Sequence, residues 1–315
     1  MANASSAVHA HCVRADESFV ASLTGHPGHS VSPASSALQE KALKALRELP
    51  PFSPVLNKLL ASLAEEDVSF AKLSDLMEKD TVIAGNILHL VNSALYARQG
   101  TVNSVRHALS LMGLQKLRNA VLGMSLTRSW AKARPAASWS MARFNMHSAA
   151  TAILSDMIAQ HVRVAYPEGA FVAGLLHDVG HLLIAIALPA EYGGIIELHA
   201  RGGKTMAECE RTVLGFEHPE LSAQALRHWN LPEPIQLAVR DHHDLSEAVP
   251  GGALLLGGVV GAADTSVKST GVAIQPAQNH PDTLALEQLG LDRTRIAALL
   301  GEFQTEFDAM APFFR

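Results

Sequence analysis

The chain of 315 residues has little cysteine, tyrosine or tryptophan: two, three and three residues respectively. Cys12 and Cys209 cannot build the dense, even framework of a disulfide-stapled scaffold, and neither has the closely spaced partner of a zinc finger or ribbon. Neither sits in a nucleophile motif and no Gly-x-Ser-x-Gly elbow occurs, which argues against a nucleophilic hydrolase. No Walker loop or dinucleotide fingerprint is present; Gly251-Gly252 and Gly257-Gly258 lack that context. Charged residues are scarce at 17% against 48% hydrophobic, which excludes disorder throughout. The formal charge of −5 disfavours a general nucleic-acid binder.

The segment from Met1 to Phe19 has no basic start leading into an apolar run, so no signal peptide is expected. The most apolar stretch, Phe171 to Ala190, carries His177, Asp178 and His181 in its middle, where lipid would penalise ionisable groups. It reads as a buried helix bearing a polar site. The expected setting is the cytoplasm, with reduced thiols and no membrane.

Alternating strand patterns and Asn-Gly or Asp-Gly hairpin signals are missing as well, so the fold class is all-α. Residues 1–35, rich in Ala, Ser, Gly and His, read as a flexible tail. Ser53-Pro54 reads as an N-cap and first helical residue, followed by Leu56, Leu59, Leu60 and Leu63 at helical spacing. Asp80 is placed to cap a helix through Ile83, Ile87, Leu88 and Val91, and Gly113 to end one bearing Val105, Leu109 and Met112. Pro135 to Ser138 marks a junction between an N-terminal helical half, 36–135, and a C-terminal one, 136–268. In the latter, helices are expected at about 139–162, 169–188, 204–214, 217–229, 233–241 and 252–267. Residues 269–315 supply a loop and a final helix capped by Asp292.

Acid is absent from Thr81 to Ser155, a span holding eight Lys and Arg residues. It is either paired with acidic helices elsewhere or a basic surface for a phosphate-bearing ligand, an acidic partner or nucleic acid, the last being the weakest reading.

Histidine, by contrast, is abundant, with 16 residues. His9, His11, His26 and His29 fall in the tail. His147, His177-Asp178, His218, His242-His243 and Asp264 follow one another along the helical part. An ionisable pair such as His177-Asp178 inside an apolar helix needs a metal or a tight hydrogen-bond network. Imidazole nitrogen with carboxylate oxygen suits Fe, Mn, Zn or Ni, as one ion or as two bridged by an Asp. His181, four residues beyond His177, supports the ligands from behind, contacts phosphate, or is a core residue. His218 beside Pro219 can alternatively cap a helix. His242 and His243 would project about 100° apart if helical, so that one faces the site.

These residues give the chain a family resemblance. His147, His177-Asp178 and Asp264 resemble the ligand order of the HD superfamily of metal-dependent phosphohydrolases, and His218 and His242-His243 extend it to the order of the HD-GYP phosphodiesterases. Leu49-Pro50-Pro51-Phe52-Ser53-Pro54, Asp80, Asn92-Ser93-Ala94-Leu95-Tyr96, Ser104 through Ala108 to Gly113, and Trp229-Asn230-Leu231-Pro232 look like the HDOD domain. That resemblance covers about residues 36–265. It implies a helical N-terminal subdomain packed with an HD-like C-terminal one, in a bacterial signal-transduction module that binds protein partners and is regulatory rather than catalytic. The HD-GYP loop is absent; Asp244 to Pro250 stands in its place, and His181 stands where that family carries Lys. The alternative is a phosphohydrolase acting on a nucleotide or cyclic dinucleotide through a metal held by the same seven residues.

Overall fold

The computed structural model describes residues 32–314 apart from 48, 50–51, 62–73, 76, 94–100, 245–251 and 276–282. The tail histidines, Cys12, Arg98 and His280 therefore lie outside the described residues. Within them the chain is all-α, and the sole extended pairing is an isolated bridge between Val164 and Leu254.

Polar caps set the helix starts. Helix α1 (Pro33–Lys44) begins where Ser32 accepts from the Ser35 N–H, so a helix starts within the span expected as a 1–35 tail; Ser32-Pro33 is itself a cap followed by proline. Ser53 caps α2 (Pro54–Ala61), Asp80 caps α3 (Thr81–Val91) and Ser104 caps α4 (Val105–Met112). Gly113, at φ 83°, ends α4 and opens α5 (Leu114–Trp130). Just past α3, Asn92 exchanges two hydrogen bonds with the Val102 main chain (2.8 and 2.9 Å) and gives a third to the Leu88 carbonyl.

The C-terminal half is built around α6 (Met141–Ala159), buried on nearly every side, as a helix without a polar face must be. Against it lie α7 (Ala170–Leu176), α13 (Leu256–Ser269) and α15 (Arg293–Met310). Gly174 permits the α6–α7 approach: a Cβ there would lie 2.8 Å from the Ala152 Cα and the Thr151 carbonyl oxygen. The remaining helices are α8 (Val179–Ala187), α9 (Pro189–Ala200), α10 (Met206–Leu214), α11 (His218–His228), α12 (Glu233–Arg240) and α14 (Leu284–Gln288). Phe314, fully buried, packs its ring over Gly123 of α5 and so ties the end of the fold to its N-terminal half.

Two expectations change. The helix expected over 169–188 is two helices, broken at His177-Asp178. Helix α9, which the sequence reading lacked, follows through Pro189. The stretch 167–187 is long and apolar enough to cross a membrane, and 89% of its most apolar window is buried in the fold.

The acid-free span is extensively paired. Arg106 meets Asp75 (2.6 Å), Lys116 meets Glu306 (3.3 Å), and Arg128 meets Asp80 (3.5 Å). Arg118 is largely buried, which lowers its pKa, opposed by Asp156, Tyr166 and Glu168. Half of the eight basic residues thus face acids from outside the span.

Candidate metal centre

The break in the apolar stretch creates the site. His177 keeps helical dihedrals, but Asp178 moves to φ −101°, ψ 13°, and α8 restarts from it, with the His181 N–H on the Asp178 carbonyl. The break turns the Asp178 carboxylate into the space between α6, α11 and α13. Gly180 lets α11 come close: a Cβ would lie 2.2 Å from the His218 carbonyl oxygen, and the Gly180 N–H donates to Ser222 Oγ (2.8 Å).

All seven expected residues converge. Asp178 stands at the centre and uses both oxygens. Its Oδ2 lies 3.3 Å from His147 Nε2 and 3.1 Å from His177 Nε2. Its Oδ1 lies 3.1 Å from His218 Nε2 and 3.8 Å from His242 Nε2. Asp264 Oδ1 closes the first group, 3.0 Å from His147 and 3.5 Å from His177. Donor atoms of His147, His177, Asp178 and Asp264 all fall within 4.8 Å of one another, as do those of His218, His242 and His243. His242 and His243 follow α12 in a turn rather than on a helix, so both reach the site, contrary to the expectation that one would. His243 is the exposed member, its Nε2 3.2 Å from that of His218.

The rings are oriented from behind. Nδ1 of His147 faces the Val272 carbonyl (2.9 Å), that of His177 the Gly174 carbonyl (2.8 Å), and that of His242 the Val239 carbonyl (2.7 Å). His218 Nδ1 faces Glu210 Oε2 at 2.7 Å. These partners only accept, so each Nδ1 carries a proton and each Nε2 is the nitrogen turned inward, the arrangement metal-ligating histidines adopt.

Burial makes this arrangement expensive unless something fills it. Nε2 of His147, His177 and His242, both Asp178 oxygens and Asp264 Oδ1 are buried without a hydrogen-bond partner, although they lie close together. Their donor set fits a divalent transition metal. Asp264 turns its other oxygen to Lys268 (2.6 Å).

Protons move the same way. Burial works against charge on His177 and His218, yet Asp178 and Asp264 raise the first to about 9, and Glu210 and Asp178 raise the second to about 10. Burial would raise Asp178 and Asp264, but His177 and Lys268 respectively lead the groups that hold them well below the usual carboxylate range. Burial and the neighbouring His243 and His177 lower His242, and burial with His218 and Lys268 lowers His243 to about 3.

Two participants carried no usable signal in the sequence. Glu210 lies on α10, whose Glu208 closes a capping box with Thr205, so the acidic pattern there reads as a helix start. Lys268 follows Asp264 by four residues, an ordinary surface-pair spacing. His181 shares no continuous helix with His177; its Nδ1 is held by Glu210 (2.8 Å) and its ring stacks on His218.

An HDOD domain model matches residues 49–245, which include every site residue up to His243 and stop short of Asp264. Among solved structures, an HDOD domain protein of unknown function from Geobacter sulfurreducens superposes with a TM-score of 0.72 at 23% identity, covering 89% of this chain and 99% of its own. A candidate signal transduction protein from Marinobacter aquaeolei VT8 gives 0.69 at 20% identity, over 90% and 67%. A candidate phosphohydrolase from Shewanella amazonensis SB2B gives 0.68 at 22%, over 87% and 98%. At these identities the likeness is one of fold. An uncharacterized protein of Treponema pallidum (strain Nichols) is 23% identical over 203 residues, 64% of this chain but 39% of that protein.

Proposed function

The chain belongs to the HDOD domain family, and from that premise we propose that it is a regulatory module of bacterial cytoplasmic signalling whose His/Asp centre holds a divalent transition metal as a structural element. One observation carries the reading: inward-facing imidazole and carboxylate atoms are buried, unpartnered and fixed from behind. His147, His177, Asp178 and Asp264 would hold an inner ion, and Asp178, His218, His242 and His243 an outer one. Bound there, a metal supplies positive charge that cross-links α6, α11, α13 and the α7–α8 break, with Lewis acidity available at any open position. The residues themselves orient the rings, exclude water and keep Asp178 ionised. Partner proteins would be engaged through the N-terminal helices. The candidate signal transduction protein from Marinobacter, similar in fold, supports this role.

A phosphohydrolase of nucleotides or cyclic dinucleotides is the second reading, and the two-sided use of Asp178 favours it, since a shared carboxylate suits paired ions. In that reading His181, pinned by Glu210, supports the ligands instead of touching phosphate.

The test is to purify the untagged protein, measure metal by elemental analysis, and assay nucleotides and cyclic dinucleotides beside Asp178→Ala. Stoichiometric metal without turnover is expected. Turnover lost in the folded variant would establish the hydrolase instead, and failure to take up metal after reconstitution would overturn both readings.

A further inference from the structure

Glu210 is 1% exposed, and a carboxylate so placed persists only with partners that satisfy it. All of its hydrogen bonds go to two histidines. Oε1 accepts from His181 Nδ1 at 2.8 Å. Oε2 accepts from His218 Nδ1 at 2.7 Å and from the His218 main-chain N–H at 2.9 Å. The two rings stack with centroids 3.7 Å apart and planes inclined by 19°. With protons on both Nδ1 atoms, both Nε2 atoms turn toward Asp178 Oδ1, 3.1 Å from His218 and 3.9 Å from His181. The histidines of the inner group differ: His147 and His177 rest on neutral carbonyls. Only the outer group is backed by a full negative charge, which raises the basicity of the imidazole in front of it.

We propose that Glu210 is the positioning residue of the outer ion site, formed by Asp178 Oδ1, His218, His242 and His243, and that it tunes this site separately from the inner one. The inference rests on the metal reading above. The chemistry of the side chain makes it specific. A carboxylate accepts from both rings at once. A glutamine amide has one acceptor and one donor end. With its oxygen retained by the two His218 donors, its NH2 faces His181 Nδ1, which must then become an acceptor and move its proton to Nε2. Glu210→Gln therefore reverses the His181 tautomer while sparing His218, and Glu210→Ala releases both rings.

The experiment titrates the metal-free full-length chain with Zn(II), and with Co(II) for its visible spectrum, following wild type, Glu210→Gln, Glu210→Ala and Asp264→Asn, each checked for folding by circular dichroism. Two binding events are expected in the wild type. Both Glu210 variants weaken one of them roughly 10- to 100-fold, more in Ala than in Gln, and change its Co(II) spectrum. Asp264→Asn weakens the other. Nitrogen-15 NMR of the metal-free protein, where no ion can bias the rings, shows His181 moving from the Nδ1–H to the Nε2–H form in Glu210→Gln. Wild-type uptake of no metal would overturn the metal reading itself. Two wild-type events left unchanged by both Glu210 variants, or weakened equally, would overturn the role of Glu210 alone, as would a single event in the wild type.

Discussion

Replacing Gly180 with alanine tests the contact on which the site's geometry depends. The new Cβ would meet the His218 carbonyl oxygen at 2.2 Å, its carbonyl carbon at 2.9 Å and Ser222 Oγ at 2.8 Å. Main chain cannot rotate aside as a side chain can, so α8 and α11 must part by roughly 1 Å in a close-packed interior. Overpacking of this kind costs about 1–3 kcal/mol, and strain on the Gly180 N–H to Ser222 bond adds about 1 kcal/mol. The melting temperature should fall by several degrees. The same displacement carries His218 away from Asp178 by more than the roughly 0.5 Å a ligand constellation tolerates. Thermal melts with and without Zn(II) read both effects: Gly180→Ala melts lower, and metal raises its midpoint less than in wild type. Gly85→Ala is the control. That glycine lies on α3 with nothing within 4 Å of an added Cβ, so the variant should be more stable by about 0.5–1 kcal/mol. A Gly180→Ala protein that melts and responds to metal as wild type does would refute the α8–α11 contact.

Phe314→Ala should cost about 3–5 kcal/mol by emptying the pocket over Gly123, read by chemical denaturation; a loss under 1 kcal/mol would mean the C-terminal ring is not a structural tie. Chelator-treated protein should lose stability with rising pH. His177 and His218 are held at about 9 and about 10, above the ordinary imidazole value, so their contribution is complete below about pH 6.5 and fades as pH climbs through those values. Denaturation midpoints that stay flat from pH 6.5 to 10 would contradict this. On the acid side, Asp178, Asp264 and Glu210 are held below the ordinary carboxylate range, so their contribution is present above about pH 4 and drains away as pH falls further.

What the sequence made legible was what side-chain type and spacing encode. Ser53, Asp80 and Asp292 cap the helices they were expected to cap, and the order of His147, His177-Asp178, His218, His242-His243 and Asp264 brought the converging residues together in advance. The break at Asp178 was hidden because Val172 to Leu176 before it and Leu182 to Ile186 after it are both continuously apolar, and hydrophobicity alone cannot distinguish one buried helix from two. The turn at His242-His243 was hidden because no glycine or proline marks the end of α12 before them. The carbonyls of Gly174, Val239 and Val272 that orient the rings are main-chain atoms, and no side chain announces them. Glu210 was masked by its neighbour Glu208, which already explained an acidic residue in the first turn.

The clamp of Lys268 on Asp264 has a consequence for electroneutrality. Asp178, Asp264 and Glu210 bring three negative charges into the interior and Lys268 returns one positive, leaving the pocket two short of neutral with its imidazoles uncharged. Two protons, taken by the rings of His177 and His218 that hold them most tightly, close the gap in the absence of metal. One divalent ion would close it equally well, so a first ion would exchange for those protons and leave the interior uncharged. A second ion would leave an excess of two positive charges. A doubly loaded pocket would therefore attract anions, and a phosphate group arriving past the exposed edge of His243 would supply the counter-charge.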